Sequence, residues 1–155
     1  MSKPLLILVT ALACSGCATV LNERTQPVRI DTLTENGTPV SGASCTLTND
    51  VEKVTMPSGG TVDVARSRKN LFIECTHPGQ TPAKGQLLAR VNGGMWLNAL
   101  AGGGVGLAAD SQQGNGYSYP RWVQVVFGQN LYFDRKDQVD GSPQLGRVIP
   151  RAAVK

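Results

Sequence analysis

Two short stretches, Ala43-Ser-Cys-Thr-Leu-Thr48 and Leu71-Phe-Ile-Glu-Cys-Thr76, decide the fold class of this chain. In both, apolar residues alternate with polar ones, which is the period of a strand with one buried face. The same alternation recurs in Val28–Leu33, Thr61–Ala65 and Gln86–Arg90. Turn sequences such as His77-Pro-Gly79 separate the runs. Short strands at regular intervals predict a mainly β domain, a small antiparallel β-sandwich.

Further along, Arg121-Trp-Val-Gln-Val-Val-Phe127 alternates in the same way and is rich in β-branched residues. It predicts the last strand of a sandwich spanning residues 26–127. The chain beyond it is rich in Gly, Pro and charged residues, with Leu131-Tyr-Phe133 as a candidate for local docking. We therefore expect residues 128–155 to form a flexible C-terminal tail.

At the N-terminus, Lys3 precedes the apolar run Leu5-Leu-Ile-Leu-Val-Thr-Ala-Leu-Ala13. One positive charge followed by about ten apolar residues is the layout of a secretory leader. The run is too short for a spanning helix, which needs about 20 residues. We expect residues 1–16 to be a signal peptide that is removed on export.

The cleavage region resembles the lipobox of bacterial lipoproteins, in which a small residue precedes the acylated cysteine. Cys17 fits this pattern better than Cys14, because Ser and Gly stand directly before it. The match is partial, since Cys14 occupies the position where the pattern has Leu. Acylation of Cys14 and a plain cleaved leader are the alternatives.

The resemblance implies three acyl chains on Cys17 and residues 17–25 as a lipid-anchored tether. Several chains at about 0.8 kcal/mol per buried CH₂ make such attachment effectively permanent. Ala18 stands where a retention-type Asp would otherwise sit, which favours the outer membrane, with the domain on its periplasmic face.

Two cysteines remain in the exported part, Cys45 and Cys75, each within a predicted strand. In an oxidising compartment such a pair most often forms a disulfide. A metal pair is the alternative, but no further Cys or His stands at ligand spacing. We expect the disulfide.

The order of elements over residues 26–90 resembles PEGA-type modules, which are small Ig- or transthyretin-like domains. The likeness rests on a Gly42-Ala43 step into the second strand, a Thr55-Met-Pro57 turn and a Pro78-Gly79 turn. Gln80 departs from it, because an aromatic residue commonly follows that glycine. The resemblance implies binding at an envelope surface rather than catalysis.

A broader likeness covers residues 17–127. A Cys-Ala-Thr start at Cys17, the strand Gly42-Ala-Ser-Cys45 and a glycine-rich stretch ending at Tyr119-Pro120 recur together in small uncharacterised proteobacterial outer-membrane lipoproteins. This resemblance implies a lipoprotein with a sandwich domain and implies nothing about activity.

A glycine-rich insert at residues 92–116 interrupts the strand pattern. Small residues recur there every four positions, at Gly94, Asn98, Gly102 and Gly106. On a helix they would form one face for close packing, with Trp96 on another. The glycines of 102–106 would cost such a helix about 3–4 kcal/mol relative to alanine.

Residues 95–109 would extend only about 22 Å as a helix, short of a hydrocarbon core of about 30 Å. We expect a short helical or glycine-rich connection packed on the sandwich. The alternative is membrane contact or self-association through Trp96, Gly94, Gly102 and Gly106.

The charge is mildly basic, with a formal net charge of +4 and a pI of about 9.0. Lys and Arg form no long run, and the densest cluster is Arg66, Arg68 and Lys69. Nucleic-acid binding requires a basic stripe with aromatic platforms, which this sequence lacks. We expect these charges to form a solvated face, with contact with anionic lipid or cell-wall material as the alternative, and we expect no nucleic acid to be bound.

Catalytic chemistry has little support. His77 is the only histidine and lies in a turn sequence, so a hydrolase would depend on it alone. Asp134, Asp137 and Asp140 are three residues apart, unlike the alternate spacing of a calcium loop, and Asp140-Gly141 is more simply a turn. Gly102–Gly104 lacks the Lys-Ser/Thr of a phosphate loop. We predict no enzyme, no cofactor and no metal.

These observations together predict a lipid-anchored, periplasm-facing, non-enzymatic protein whose sandwich binds an envelope protein or a cell-wall component. The alternative is a membrane-active or self-assembling protein that acts through residues 93–109.

Overall fold

The structure, a computed structural model, describes residues 24–91 and 116–149. They form two facing β-sheets and a short ribbon. The strands are β1 (Thr25–Leu33), β2 (Ser44–Thr48), β3 (Lys53–Pro57), β4 (Thr61–Ala65), β5 (Leu71–Thr76), β6 (Ala83–Leu87), β7 (Arg90–Val91), β8 (Tyr117–Ser118), β9 (Trp122–Val126), β10 (Asn130–Phe133), β11 (Gln144–Leu145) and β12 (Arg147–Val148).

The smaller sheet has the order β11-β9-β1-β4, the larger one β12-β10-β6-β5-β2-β3, and β7 pairs with β8. This confirms the prediction of a mainly β, sandwich-like domain. The sheets are mixed rather than wholly antiparallel, because β1–β9, β11–β9 and β10–β6 are parallel pairs. The antiparallel expectation assumed that successive strands pair, whereas this chain repeatedly crosses between the sheets.

The core lies between the inner faces of the two sheets. In β5, Leu71, Ile73 and Cys75 are buried while the residues between them are exposed, as the sequence alternation predicts. The largest fully buried side chains are Tyr119, Phe127, Phe133, Ile30, Leu47, Leu71, Leu87, Leu131, Val28, Val64, Val123 and Val125. Every major strand except the edge strand β3 supplies at least one of these side chains.

The C-terminal segment is part of the sandwich, so the prediction of a flexible tail from residue 128 is wrong as far as Ile149. β10 pairs with β6, and its Leu131 and Phe133 are 2% and 0% exposed. Trp122–Val126 is therefore not the last strand. A Cβ on Gly146 would lie 2.7 Å from Leu131 Cβ, so the missing side chain permits this close packing.

Beyond β10 the chain makes a 3₁₀ turn at Arg135–Asp137, capped by the Asp134 side chain, which accepts from the Lys136 N–H. Gly141 has a φ of 76°, consistent with the turn predicted at Asp140-Gly141. In residues 24–91 and 116–149 there is no helix long and apolar enough to cross a membrane.

Candidate functional site

The cross-strand disulfide joins the middle of the larger sheet. Cys45 on β2 and Cys75 on β5 are register partners, and their sulfur atoms are 2.03 Å apart. Both residues are 0% exposed. The predicted disulfide is confirmed. It lies on the inner face of the sheet, where dissolved reductants do not reach it.

The outer face of the larger sheet carries an exposed aromatic side chain on its interior strand β5. Phe72 is 54% exposed, and its register partners are Thr48 on β2 and Gln86 on β6. We call this surface the Phe72 face. Its members are Thr46, Thr48, Lys53, Phe72, Glu74, Lys84, Gln86, Asn130 and Tyr132. A single exposed apolar side chain is common on protein surfaces. Phe72 also lines a depression together with polar and charged side chains, and this combination marks a candidate binding surface.

The Phe72 face includes a shallow depression of about 320 Å³, lined among others by Thr48, Phe72, Lys84 and Asn130. Charged groups border it. Lys84 Nζ lies 4.0 Å from Glu74 Oε1, with both side chains more than half exposed, so this ion pair adds little stability. An aromatic ring with hydroxyl, amide and paired charged neighbours suits a polar polymer or a peptide better than an apolar ligand.

One edge of the Phe72 face is completed by Tyr132 and Arg147. These residues are register partners on β10 and β12. Arg147 Nη2 lies 2.8 Å from Asp137 Oδ1. The pKa of Arg147 is raised by its hydrogen bond to the Tyr132 side chain and by the negative charge of the Asp137 carboxylate. The C-terminal segment therefore supplies part of the candidate surface. The prediction of a flexible tail did not anticipate this contribution.

The outer face of the smaller sheet holds a different cluster. Trp122 Nε1 donates to Asp31 Oδ2 at 2.6 Å, and the Arg29 guanidinium lies 4.5 Å from the centre of the Trp122 ring. Arg29 also pairs with Asp31 at 3.2 Å. The polar groups of this cluster bond one another. We therefore interpret it as a structural contact that holds β1 and β9 together, and not as a binding site.

Basic side chains collect at one end of the sandwich, where β1 begins and β4 ends. Thr25 there is the register partner of Ala65. We call this the basic end, and its members are Arg24, Arg66, Arg68, Lys69, Arg90, Arg135 and Lys136. In the loops of the opposite end, residues 34–43, 58–60, 77–82 and 127–129, the one charged side chain is Glu35. The domain is therefore electrically asymmetric along its strands.

A buried tyrosine fixes the loop between β4 and β5 at the basic end. The Tyr119 hydroxyl donates to the Lys69 carbonyl at 2.8 Å. The Tyr119 backbone exchanges two hydrogen bonds with the Gln26 amide, at 2.9 and 3.1 Å. Desolvation raises the pKa of Tyr119, so its hydroxyl stays protonated and donates. The Arg68–Lys69 backbone is thereby held to the core.

Four of the five carboxylates at the basic end are engaged in internal bonds, among them Asp137, which pairs with Arg147, whereas Asp140 is exposed. Asp50 accepts from the Ser67 hydroxyl, and Glu52 accepts from the Ala65 N–H. Asp134 pairs with Arg90, and that hydrogen bond lowers the pKa of Asp134. Each of these bonded carboxylates stabilises a loop or a strand end, while exposed cations lie at the same end.

Several predicted site residues lie outside the described parts of the chain. These are Cys17 and Cys14, and in the insert Trp96, Gly94, Gly102 and Gly106. The ribbon β7–β8 brackets the insert, since Arg90 pairs with Ser118 and Val91 with Tyr117. The insert therefore joins the domain at the basic end.

The remaining candidates for chemistry are not brought together. His77 Nδ1 lies 3.1 Å from the neighbouring Pro78 carbonyl, and its ring lies 6.2 Å from that of Phe127. Asp134 and Asp137 pair with different arginines. Within the described ranges no group of three or more His, Cys, Asp or Glu could hold a metal ion.

Comparison with known proteins adds no relative: no family model, curated protein or solved structure matches this chain.

Proposed function

We propose that this protein is a lipid-anchored envelope protein that acts by binding, without catalysis, on the periplasmic face of the outer membrane. The supporting observation is the buried Cys45–Cys75 disulfide within the sandwich. Such a bridge persists in an oxidising compartment. This is the compartment to which the leader at residues 1–16 and the lipobox-like Cys17 would deliver the domain.

Anchoring at Cys17 would place the sandwich a short distance from the bilayer. The eight residues 18–25 reach about 26 Å when fully extended. A tether of this length keeps the Phe72 face at high local concentration near other envelope components. A weak surface contact then suffices for binding, so no deep pocket is needed. The PEGA-type likeness of residues 26–90 stays a prediction and agrees with this role.

Metabolic labelling tests the anchor. Cells that express the full chain are fed an alkyne analogue of palmitate, and the purified protein is probed for incorporated label. We expect label on the natural chain and on Cys14→Ser, and none on Cys17→Ser. An unlabelled natural chain would refute the anchored form, and loss of label in Cys14→Ser alone would move the anchor to Cys14.

Site-specific crosslinking tests the binding surface. A photo-reactive residue is placed at Phe72, and in a matched control at Gln124 on the outer face of the smaller sheet. We expect position 72 to capture an envelope protein or cell-wall fragment in intact cells, and position 124 to capture none of it. Equal capture at both positions would reject the Phe72 face as the recognition surface.

The second candidate function, membrane activity or self-assembly through residues 93–109, is supported by the place where the insert leaves the domain. Both Val91 and Gly116 lie at the basic end, next to the cations. Deletion of 93–109 should leave the sandwich folded and abolish oligomers or membrane permeabilisation. Unchanged behaviour of the deleted chain would dismiss this candidate.

A further inference from the structure

The basic end combines exposed charge with exposed apolar side chains. Val51 is 63% exposed in the turn between β2 and β3, and Val91 is 48% exposed at the end of β7. Arg68, Lys69 and Lys136 at the same end are exposed as well. Apolar side chains among cations are typical of protein surfaces that lie at the boundary between lipid headgroups and acyl chains.

The positive charge of this end is available to a partner. The side chains of Arg68 and Lys69 form no hydrogen bond or ion pair with any part of residues 24–91 or 116–149, while their backbone is fixed by Ser67 and Tyr119. Five carboxylates lie at this end. Three of them are bonded to Ser67, Ala65 and Arg90, Asp137 pairs with Arg147, and Asp140 is exposed, so the seven cations of the basic end outnumber them. A rigid loop that presents unpaired cations attracts a negatively charged surface.

The connections of the chain point in the same direction. Residue 24 is the first described residue and lies at this end, held by a 2.8 Å hydrogen bond from the Arg66 N–H to the Arg24 carbonyl. The insert also joins the domain here. The segment that would carry the lipid anchor therefore reaches the sandwich at its most basic surface, and not at the end whose loops carry the single charge of Glu35.

From these three observations we infer that the basic end lies directly on a bilayer containing anionic phospholipids. Lys and Arg side chains contact the headgroup phosphates, and Val51 and Val91 reach the apolar boundary. The inference gives the proposed anchored protein a fixed orientation and rests on that function for its setting in the cell. The contact itself requires no acyl chain, so the two can be tested separately.

The test uses the mature chain, which begins at residue 17, with Cys17→Ala so that no lipid is attached. Binding is measured by co-sedimentation with phosphatidylcholine vesicles that contain about 30% phosphatidylglycerol, since each Lys or Arg near an anionic surface contributes about 1 kcal/mol. The variant Arg68→Gln/Lys69→Gln removes two charges from the basic end. The matched control, Arg29→Gln/Arg121→Gln, removes two charges from the smaller sheet, where Arg29 lies on β1 and Arg121 directly precedes β9.

We expect binding to anionic vesicles that weakens with salt, and little binding to pure phosphatidylcholine. The Arg68→Gln/Lys69→Gln variant should bind about 30-fold more weakly, and the control close to normally. Equal weakening by both variants, or equal binding to neutral vesicles, would overturn the inference. If the first variant fails to fold, Arg24→Gln/Lys136→Gln replaces it. Failed palmitate labelling with normal vesicle binding would instead reject the anchor alone.

Discussion

The disulfide gives the sharpest prediction on stability. Cys45→Ala/Cys75→Ala removes a bridge that closes a loop with a sequence separation of 30 residues. The loss of chain entropy in the unfolded state for such a loop corresponds to about 3.7 kcal/mol at 25 °C. With a urea dependence of about 1–3 kcal/mol per molar for a small domain, the unfolding midpoint should fall by roughly 1–4 M.

A matched control separates the bridge from general damage to the two strands. Thr46 and Glu74 are register partners on the same strands, one position from the bridge and on the outer face. The variant Thr46→Ala/Glu74→Ala should cost less than about 1 kcal/mol. Urea unfolding followed by circular dichroism measures both. A loss below about 1 kcal/mol for the cysteine variant, or one equal to the control, would refute the reasoning on loop closure.

Three further predictions test the C-terminal strand, the loop that carries Lys69, and the ion pair at the basic end. Phe133→Ala should destabilise the domain by about 3–5 kcal/mol in urea unfolding, because it opens a cavity in the core, whereas Tyr132→Ala on the outer face should cost far less; equal small effects would restore the prediction of a tail. Tyr119→Phe should cost about 1 kcal/mol in thermal unfolding, because a buried hydrogen bond is lost, and an unchanged stability would contradict the bond. Asp134→Asn should make the free energy of unfolding depend less on pH in the acid range. The Arg90 hydrogen bond lowers the pKa of Asp134 in the folded state. The ionised Asp134 therefore stabilises the fold fully above about pH 4, and this stabilisation is lost as the pH falls through the lowered pKa. Urea unfolding between pH 7 and pH 2 measures this, and parallel curves for both proteins would contradict it.

The strands that carry the disulfide could be predicted because their signal is local. Alternation in Leu71–Thr76 reports one buried face whatever the partner strand is, and the structure has Leu71, Ile73 and Cys75 inside. The C-terminal strand could not be recognised in this way. Asn130–Phe133 has four residues, two of them inward, and is followed by turn-forming residues. Its burial depends on a parallel pairing with β6, more than forty positions earlier in the chain, which local periodicity does not report.

The basic end could not be predicted from the sequence for a related reason. Its cations come from the start of β1, the β4–β5 loop, β7 and the 3₁₀ turn, so in the sequence they are scattered. Arg66, Arg68 and Lys69 form a visible cluster in the sequence. Three charges alone, however, are typical of a solvated loop. Their significance depends on Arg90, Arg135 and Lys136 lying at the same end. Only the order in which strands cross between the two sheets brings these groups together.

The asymmetry of charge also fixes what the anchored domain would present to the envelope. The strands run between the basic end and the end bearing Glu35, so a domain with its basic end on the bilayer stands with its strands upright. Six strand residues rise about 20 Å, and the Phe72 face then extends away from the headgroups along the side of the domain. In that orientation Phe72, which lies one residue from the start of β5, would be close to the membrane. A partner that binds there must itself approach the bilayer surface, which favours a membrane-associated envelope protein over the distant parts of the cell wall.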